Sequence, residues 1–188
     1  LRDAGWFVSF FPMAHKDVVW EEGYRLWPDD IEILAGYGSA RLHELLRERT
    51  GYYDVVLVSR SHNMRMFRKS CARAPGFLRH TRLVYDAEAI TASREAMRRD
   101  IEGGADAKQL ETETAAELAL TKDAASVIAV SDADAGIFRA RTGKPVFTVG
   151  HAATAQPTPN PFERRSGILF VGALEDDRLR GESVEVRR

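Results

Sequence analysis

Cysteine is nearly absent: among 188 residues only Cys71 carries a thiol. One thiol closes no intramolecular disulfide, so a reducing compartment is the default. Histidine is sparse too. The five histidines are scattered, and no Cys or His cluster has metal-ligand spacing. Long hydrophobic runs are missing, none approaching the roughly 18 residues of a membrane-spanning helix, and no signal-peptide pattern opens the chain. Excess charge of either sign is missing as well, with Lys+Arg 27 against Asp+Glu 28 and a formal net charge of −1. That balance implies no general affinity for nucleic acid or other acidic polymers. There is no Walker loop, no GxGxxG and no GxSxG elbow; Gly36-Tyr37-Gly38 alone is too little to cradle a phosphate.

What remains is an ordinary globular composition, 44% hydrophobic and 29% charged, in a chain long enough to bury a sizeable core. The stretch Tyr53-Asp54-Val55-Val56-Leu57-Val58-Ser59-Arg60-Ser61-His62-Asn63 organises the rest. Four consecutive apolar residues, three of them β-branched, read as a buried strand of a parallel sheet. The run breaks abruptly into hydrogen-bonding groups and a fixed positive charge. In open α/β sheets ligands bind beyond the carboxyl ends of strands, so this break is either a site edge or a solvated loop.

Shorter strands are expected at Trp6–Phe11, which Pro12 stops, at Ile31–Leu34, Arg82–Tyr85, Val127–Val130, Val146–Val149 and Ile168–Val171. Between them lie helical patterns: one capped by Ser39 with Leu42, Leu45 and Leu46 on one face, and one within Met64–Arg79, broken at Pro75-Gly76. Others carry Arg94-Glu95, run from about Ala107 to Ala125, or follow a capping box at Ser131-Asp132-Ala133-Asp134. Alternating strands and helices with short connections make a Rossmann-like, doubly wound, mostly parallel α/β sheet. Leu1-Arg2-Asp3-Ala4-Gly5 reads as the last turn of a helix with its terminating glycine. The chain is therefore expected to begin in the middle of a larger fold. Residues 1–151 form the domain, the Pro-rich residues 152–167 a linker, and residues 168–188 the start of a second domain with a charged tail.

At the carboxyl ends of these strands stand His15, Arg60, His62, Asn63, Asp86, Glu88, Ser131, Asp132 and His151. This rim holds few nucleophile candidates and suits a hydroxyl-rich or phosphorylated ligand. Asp86, Ser131 and Asp132 have a plainer reading as helix caps. Glu117 and Asp123 read as helix-surface or packing residues. Between Asp54 and Asp86 there is no acidic residue, yet Arg60, Arg65, Arg68, Lys69, Arg73, Arg79 and Arg82 all lie there. Such a patch faces anionic lipid or a phosphate, or it is a solvated helix paired with carboxylates from elsewhere.

In order, the segment Tyr53 to Asn63, then Leu83-Val84-Tyr85-Asp86-Ala87-Glu88-Ala89-Ile90 with Arg94-Glu95, then Ala129-Val130-Ser131-Asp132-Ala133-Asp134, resemble the amino-terminal half of a group 1 bacterial glycosyltransferase (family four). The Pro-rich linker and Ile168-Leu169-Phe170-Val171-Gly172-Ala173 resemble the passage into that family's second domain. The resemblance implies the GT-B architecture, two Rossmann-like domains facing across a cleft. It implies transfer of a sugar from a nucleotide-sugar to a glycan or lipid-linked acceptor, in cell-surface polysaccharide assembly at the cytoplasmic face of the membrane. Arg60, His62, Asn63, Asp86, Glu88, Ser131 and Asp132 would line the acceptor side, with His15 and His151 at the interdomain cleft. No cofactor or metal is expected in this domain, the nucleotide-sugar being held by the second. Peripheral contact with anionic membrane would use Arg65, Arg68, Lys69 and Arg73. The chain departs from the family in lacking the first strand with its glycine-rich acceptor loop, in lacking most of the donor domain, and in having Thr91 where many members place a histidine. Little or no transfer by these residues alone is expected. A non-catalytic α/β binding module is the alternative.

Overall fold

The computed structural model describes residues 1–13, 25, 27–34, 36–101, 103–104, 106–150, 161–164 and 166–167. The chain divides into two units, Leu1–His151 and Ala152–Arg188. In the second, a 3-10 turn at Phe162–Arg164 lies in the stretch read as linker. The strand expected at Ile168–Val171 falls outside the described residues, as do His15 and His151.

In the first unit the strands are β1 (Val8–Phe10), β2 (Ile31–Ile33), β3 (Val55–Ser59), β4 (Arg82–Glu88), β5 (Ser126–Ala129) and β6 (Val146–Thr148). The α-helices bounded within the described residues are α1 (Gly38–Glu48), α2 (Ser61–Arg73), α3 (Thr91–Ile101), α4 (Ala107–Leu118) and α5 (Asp132–Thr142). Among the described residues β1 pairs only with β2, while the others form a four-stranded sheet in the order β3-β4-β5-β6. Every pairing is parallel. The α/β class with helices flanking a parallel, Rossmann-like sheet is thus what the chain adopts. Among the described residues, β1 and β3 do not pair.

The core explains the order. Leu83, Tyr85 and Ala87 of β4 and Val127 and Ala129 of β5 are buried beneath Met64 and Phe67 of α2 and Ala135 and Phe138 of α5. Leu42, Leu45 and Leu46 put the apolar stripe of α1 into the same core. Just past α1, Arg49 reaches Glu32 of β2 at 2.7 Å, so this helix links the two-stranded sheet to the larger one.

Several boundaries differ from the sequence reading. β4 runs on through Asp86 and Glu88, past the end expected at Tyr85; its pairing with β5 continues to Glu88 across an irregularity. α1 starts at Gly38 without a side-chain cap from Ser39. The helix expected within residues 64–79 is interrupted at Pro75-Gly76 as read, but it starts earlier, at Ser61, and its second piece is a 3-10 turn at Phe77–Arg79. α4 ends at Leu118 and passes into a 3-10 turn at Ala119–Thr121.

Candidate functional site

The carboxyl ends of β3 and β4 bring four side chains together. Ser59 ends β3 with its side chain toward β4, and its hydroxyl lies 3.0 Å from Asp86 Oδ2 and 3.3 Å from Glu88 Oε1. Its single proton serves one carboxylate at a time. Arg60 Nε donates to Glu88 Oε1 at 3.0 Å. The backbone completes the knot: the Arg60 N–H donates to the Asp86 carbonyl at 2.8 Å, and the Glu88 N–H to Asp86 Oδ1 at 3.3 Å.

Two non-glycine residues among those described hold positive φ, and both are here: Arg60 at 74° and Glu88 at 57°. Arg60, with ψ 147°, occupies a region that is nearly glycine-only, and such strain clusters at functional sites. The turn at Arg60 is what aims α2 away from the sheet. α2 has no side-chain N-cap and no acidic residue in its first turn. Its first amides therefore add backbone donors and the positive end of a helix dipole to the same edge.

The remaining expected residues fall differently. Asn63 Nδ2 donates to the Ser59 carbonyl at 2.9 Å, which makes it a brace between β3 and α2. His62 is exposed beside it. Ser131 is the N-cap of α5: its hydroxyl accepts from the Asp134 N–H at 3.1 Å and donates to Asp134 Oδ2 at 2.6 Å. Asp132 accepts from the Thr148 hydroxyl at 2.8 Å, tying α5 to β6. Asp134 also takes the Ile90 N–H at 3.3 Å. The structure thus joins Arg60, Asp86 and Glu88, and gives Asn63, Ser131 and Asp132 local bracing contacts.

Two residues were missed. Ser59 was read as a strand terminator, and its one signal was its place at the apolar-to-polar break. Glu117 was read as a surface or packing residue but is buried, its carboxylate accepting from the Thr91 N–H at 2.9 Å and from the Thr91 hydroxyl. It closes the amino end of α3. Beside it a shallow hollow of about 240 Å³ is lined by Arg65, Thr91, Glu95, Arg99 and Glu113. The Arg99–Glu113 pair, 2.7 Å apart, closes one side of that hollow.

Chemically, the β3–β4 cluster offers two carboxylates, one guanidinium, one hydroxyl and open backbone amides. Carboxylates accept from hydroxyls, while guanidinium and amides donate to oxygens. Ser59 has acidic neighbours but no imidazole among its hydrogen-bond partners, so the cluster lacks the relay that activates a serine nucleophile. Among the described residues no group of His, Cys, Asp and Glu is arranged to hold a metal ion. The exposed charges of α2 are partly committed: Arg68 pairs with Asp123 at 3.1 Å and donates to the Ala119 carbonyl. Arg65, Lys69 and Arg73 stay exposed one turn apart. No helix among the described residues is long and apolar enough to cross a membrane.

No family model, no curated protein and no solved structure matches this chain.

Proposed function

We propose that the unit Leu1–His151 is the acceptor-side domain of a glycosyltransferase. It holds a glycan or lipid-linked acceptor for a sugar delivered from a nucleotide-sugar bound by a second domain. The observation that carries this reading is the Ser59–Arg60–Asp86–Glu88 cluster at the carboxyl edge of a parallel sheet. Its mixture of acceptors and donors, without a relayed nucleophile, suits the ring hydroxyls of a sugar. Glu88 and Asp86 accept from acceptor hydroxyls, while Arg60 and the first amides of α2 donate to their oxygens. No cofactor is assigned to this domain. The work is placed at the cytoplasmic face of a membrane, where cell-surface polysaccharide is assembled. There Arg65, Lys69 and Arg73 face anionic lipid, each contributing on the order of 1 kcal/mol near such a surface.

The test is a titration followed by NMR, with the methyl glycosides of glucose, galactose, mannose and N-acetylglucosamine and with a short polyprenyl phosphate. Shifts concentrated at Ser59, Arg60, Asp86 and Glu88 for at least one probe, abolished by Glu88→Gln, support the proposal. A folded protein in which none of the probes perturbs this edge overturns it. A second reading, a non-catalytic binding module, draws on the lack of a relayed nucleophile in the cluster. A full-length enzyme that binds acceptor through Glu88 yet transfers no sugar would favour it.

A further inference from the structure

The hollow of about 240 Å³ between α2, α3 and α4 belongs to a different face of the sheet from the β3–β4 cluster. Successive strand residues point to opposite faces. Leu83, Tyr85 and Ala87 of β4 are buried, so Tyr85 lies on the face that the helices cover. Asp86 falls on the other face, where Ser59 bonds to it. Burial and then the Glu117 charge push the Tyr85 phenol up, while the Arg65 charge pulls it back. Glu117 of α4 and Arg65 of α2 both line the hollow, so both stand close to one buried phenol. The hollow is a place of its own.

Ala92 and Ala116 give it small apolar surfaces, and every other lining residue is charged or carries a hydroxyl. Much of this polarity is committed. Arg99 gives both terminal nitrogens to Glu113, at 3.1 and 2.7 Å, and Glu95 faces Arg98 at 3.6 Å. What is left over defines the ligand. Arg65 Nη1 donates to the Ser61 hydroxyl at 3.4 Å and, among the described residues, to no carboxylate. Arg99 Nε is buried with no hydrogen-bond partner among the described residues. Glu117 receives both Thr91 donors, yet each carboxylate oxygen carries a further lone pair, and the Thr91 oxygen can still accept. Unspent donors and unspent acceptors thus share one small volume.

Charge selects among polar ligands. Glu95, Glu113 and Glu117 repel a phosphate, and Arg65 and Arg99 repel an ammonium. Among the described residues no aromatic side chain lines the hollow, so nothing there stacks a nucleobase. A neutral ring bearing several hydroxyls meets every condition. Its O–H groups donate to carboxylates, its oxygens accept from guanidinium, and its C–H face lies on the alanines. The volume falls below the roughly 300–1,000 Å³ of pockets for drug-sized molecules, which limits the occupant to a single ring.

We propose that this hollow is a binding subsite for one neutral, polyhydroxylated ring, a sugar unit, held by Arg65, Glu95 and Glu117 against Ala92 and Ala116. The subsite stands apart from the β3–β4 cluster, and it holds whether or not that cluster receives an acceptor.

The test follows the 188-residue chain by NMR while the methyl glycosides of glucose, galactose, mannose and N-acetylglucosamine are added in turn. Inorganic phosphate and adenosine are the comparison ligands. At least one glycoside should shift the amides of Thr91, Ala92, Glu95 and Ala116 together, saturating in the millimolar range. Phosphate and adenosine should not. Ala116→Leu fills the hollow from an exposed helix position and should weaken this binding at least about tenfold. Arg65→Gln removes an unspent donor and should weaken it as well, a second check if the leucine variant misfolds. A folded protein in which no glycoside shifts these amides overturns the proposal. Glycoside binding that either folded variant leaves unchanged overturns it too, as does a stronger response to phosphate or adenosine. Shifts confined to Ser59, Arg60, Asp86 and Glu88 would overturn the hollow and support the acceptor site, whereas shifts confined to the hollow would do the reverse.

Discussion

Arg60 and Glu88 meet at 3.0 Å, and both do so from left-handed backbone, φ 74° and 57°. An ion pair this exposed, with side chains 62% and 40% accessible, contributes little to stability. Holding two non-glycine residues at positive φ costs more than that, of order 1–3 kcal/mol each. The pair therefore does not offset the strain that the two backbones carry.

The two costs can be separated at Arg60. Arg60→Gly removes both the strain and the ion pair, whereas Arg60→Ala removes the pair and keeps the strain. The glycine variant should be more stable than the alanine variant by about 1–2 kcal/mol, and at least as stable as the parent. Urea unfolding of the three proteins measures this. Equal stability of Gly and Ala would mean that the backbone at Arg60 relaxes without cost.

Glu117 makes a prediction of opposite kind. Its buried carboxylate accepts from both the amide and the hydroxyl of the exposed Thr91. Glu117→Ala removes the acceptor of both Thr91 donors, which water then reaches at this exposed residue, and should cost about 1.5–3 kcal/mol, the scale of hydrogen bonding to a charged group. Glu117→Gln keeps an acceptor and should lose less. A Thr91→Val background should shrink the loss caused by Glu117→Ala, a coupling that a double-mutant cycle in urea reads directly.

The sheet class, the order of elements and the candidate edge were legible because short apolar runs alternate with amphipathic helices, and because Val58-Ser59-Arg60 switches so sharply. What was not legible came from tertiary pairing. Asp86 and Glu88 look like loop residues, since acidic side chains disfavour strands. β5 extends the pairing to Glu88 all the same, so the carboxylates project from a strand rather than a flexible turn. Nothing local marks Glu117, whose partner Thr91 lies 26 positions away. The strained turn at Arg60 had no glycine to announce it. Asp86 read equally well as a cap or a site residue, and only the Ser59 and Glu88 contacts separate the two.

Acid should loosen the small sheet first. Desolvation works to raise the Glu32 carboxyl, but hydrogen bonds from Ser9 and Arg49 and the guanidinium charge outweigh it and hold it below its ordinary 4.5. A carboxyl depressed on folding contributes stability that is complete above its unfolded pKa and is lost as pH falls through its folded one. Glu111 beside Arg141 and Glu113 beside Arg99 are depressed in the same direction. Stability should therefore hold steady above about pH 5 and decline below about pH 4.5. Glu32→Gln should lower the plateau and flatten the acid limb, the two proteins converging in strong acid. Urea midpoints across pH test this; an unchanged acid limb in Glu32→Gln would place the proton uptake at other carboxyls.

Leu57 and Val58 are neighbours with opposite fates, and they give the sharpest check on the edge of β3 that pairs with no strand among the described residues. Leu57 is 49% exposed with its backbone turned away from β4, whereas Val58 is buried in the core. A long, apolar edge strand templates pairing with other chains, and charge on such an edge is how natural sheets prevent it. The 188-residue chain should accordingly self-associate at micromolar concentration, with little sensitivity to salt because the contact is apolar and main-chain. Leu57→Lys should suppress that association while changing stability by no more than about 0.5 kcal/mol, as for a surface site. Val58→Lys should unfold the domain or cost about 3–5 kcal/mol, the scale of an uncompensated buried charge. Light scattering against concentration, paired with thermal melts, reads both. If Leu57→Lys associates as strongly as the parent, the contact lies elsewhere, and the exposed Phe147 and Val149 at the far edge of the sheet become the place to introduce charge next.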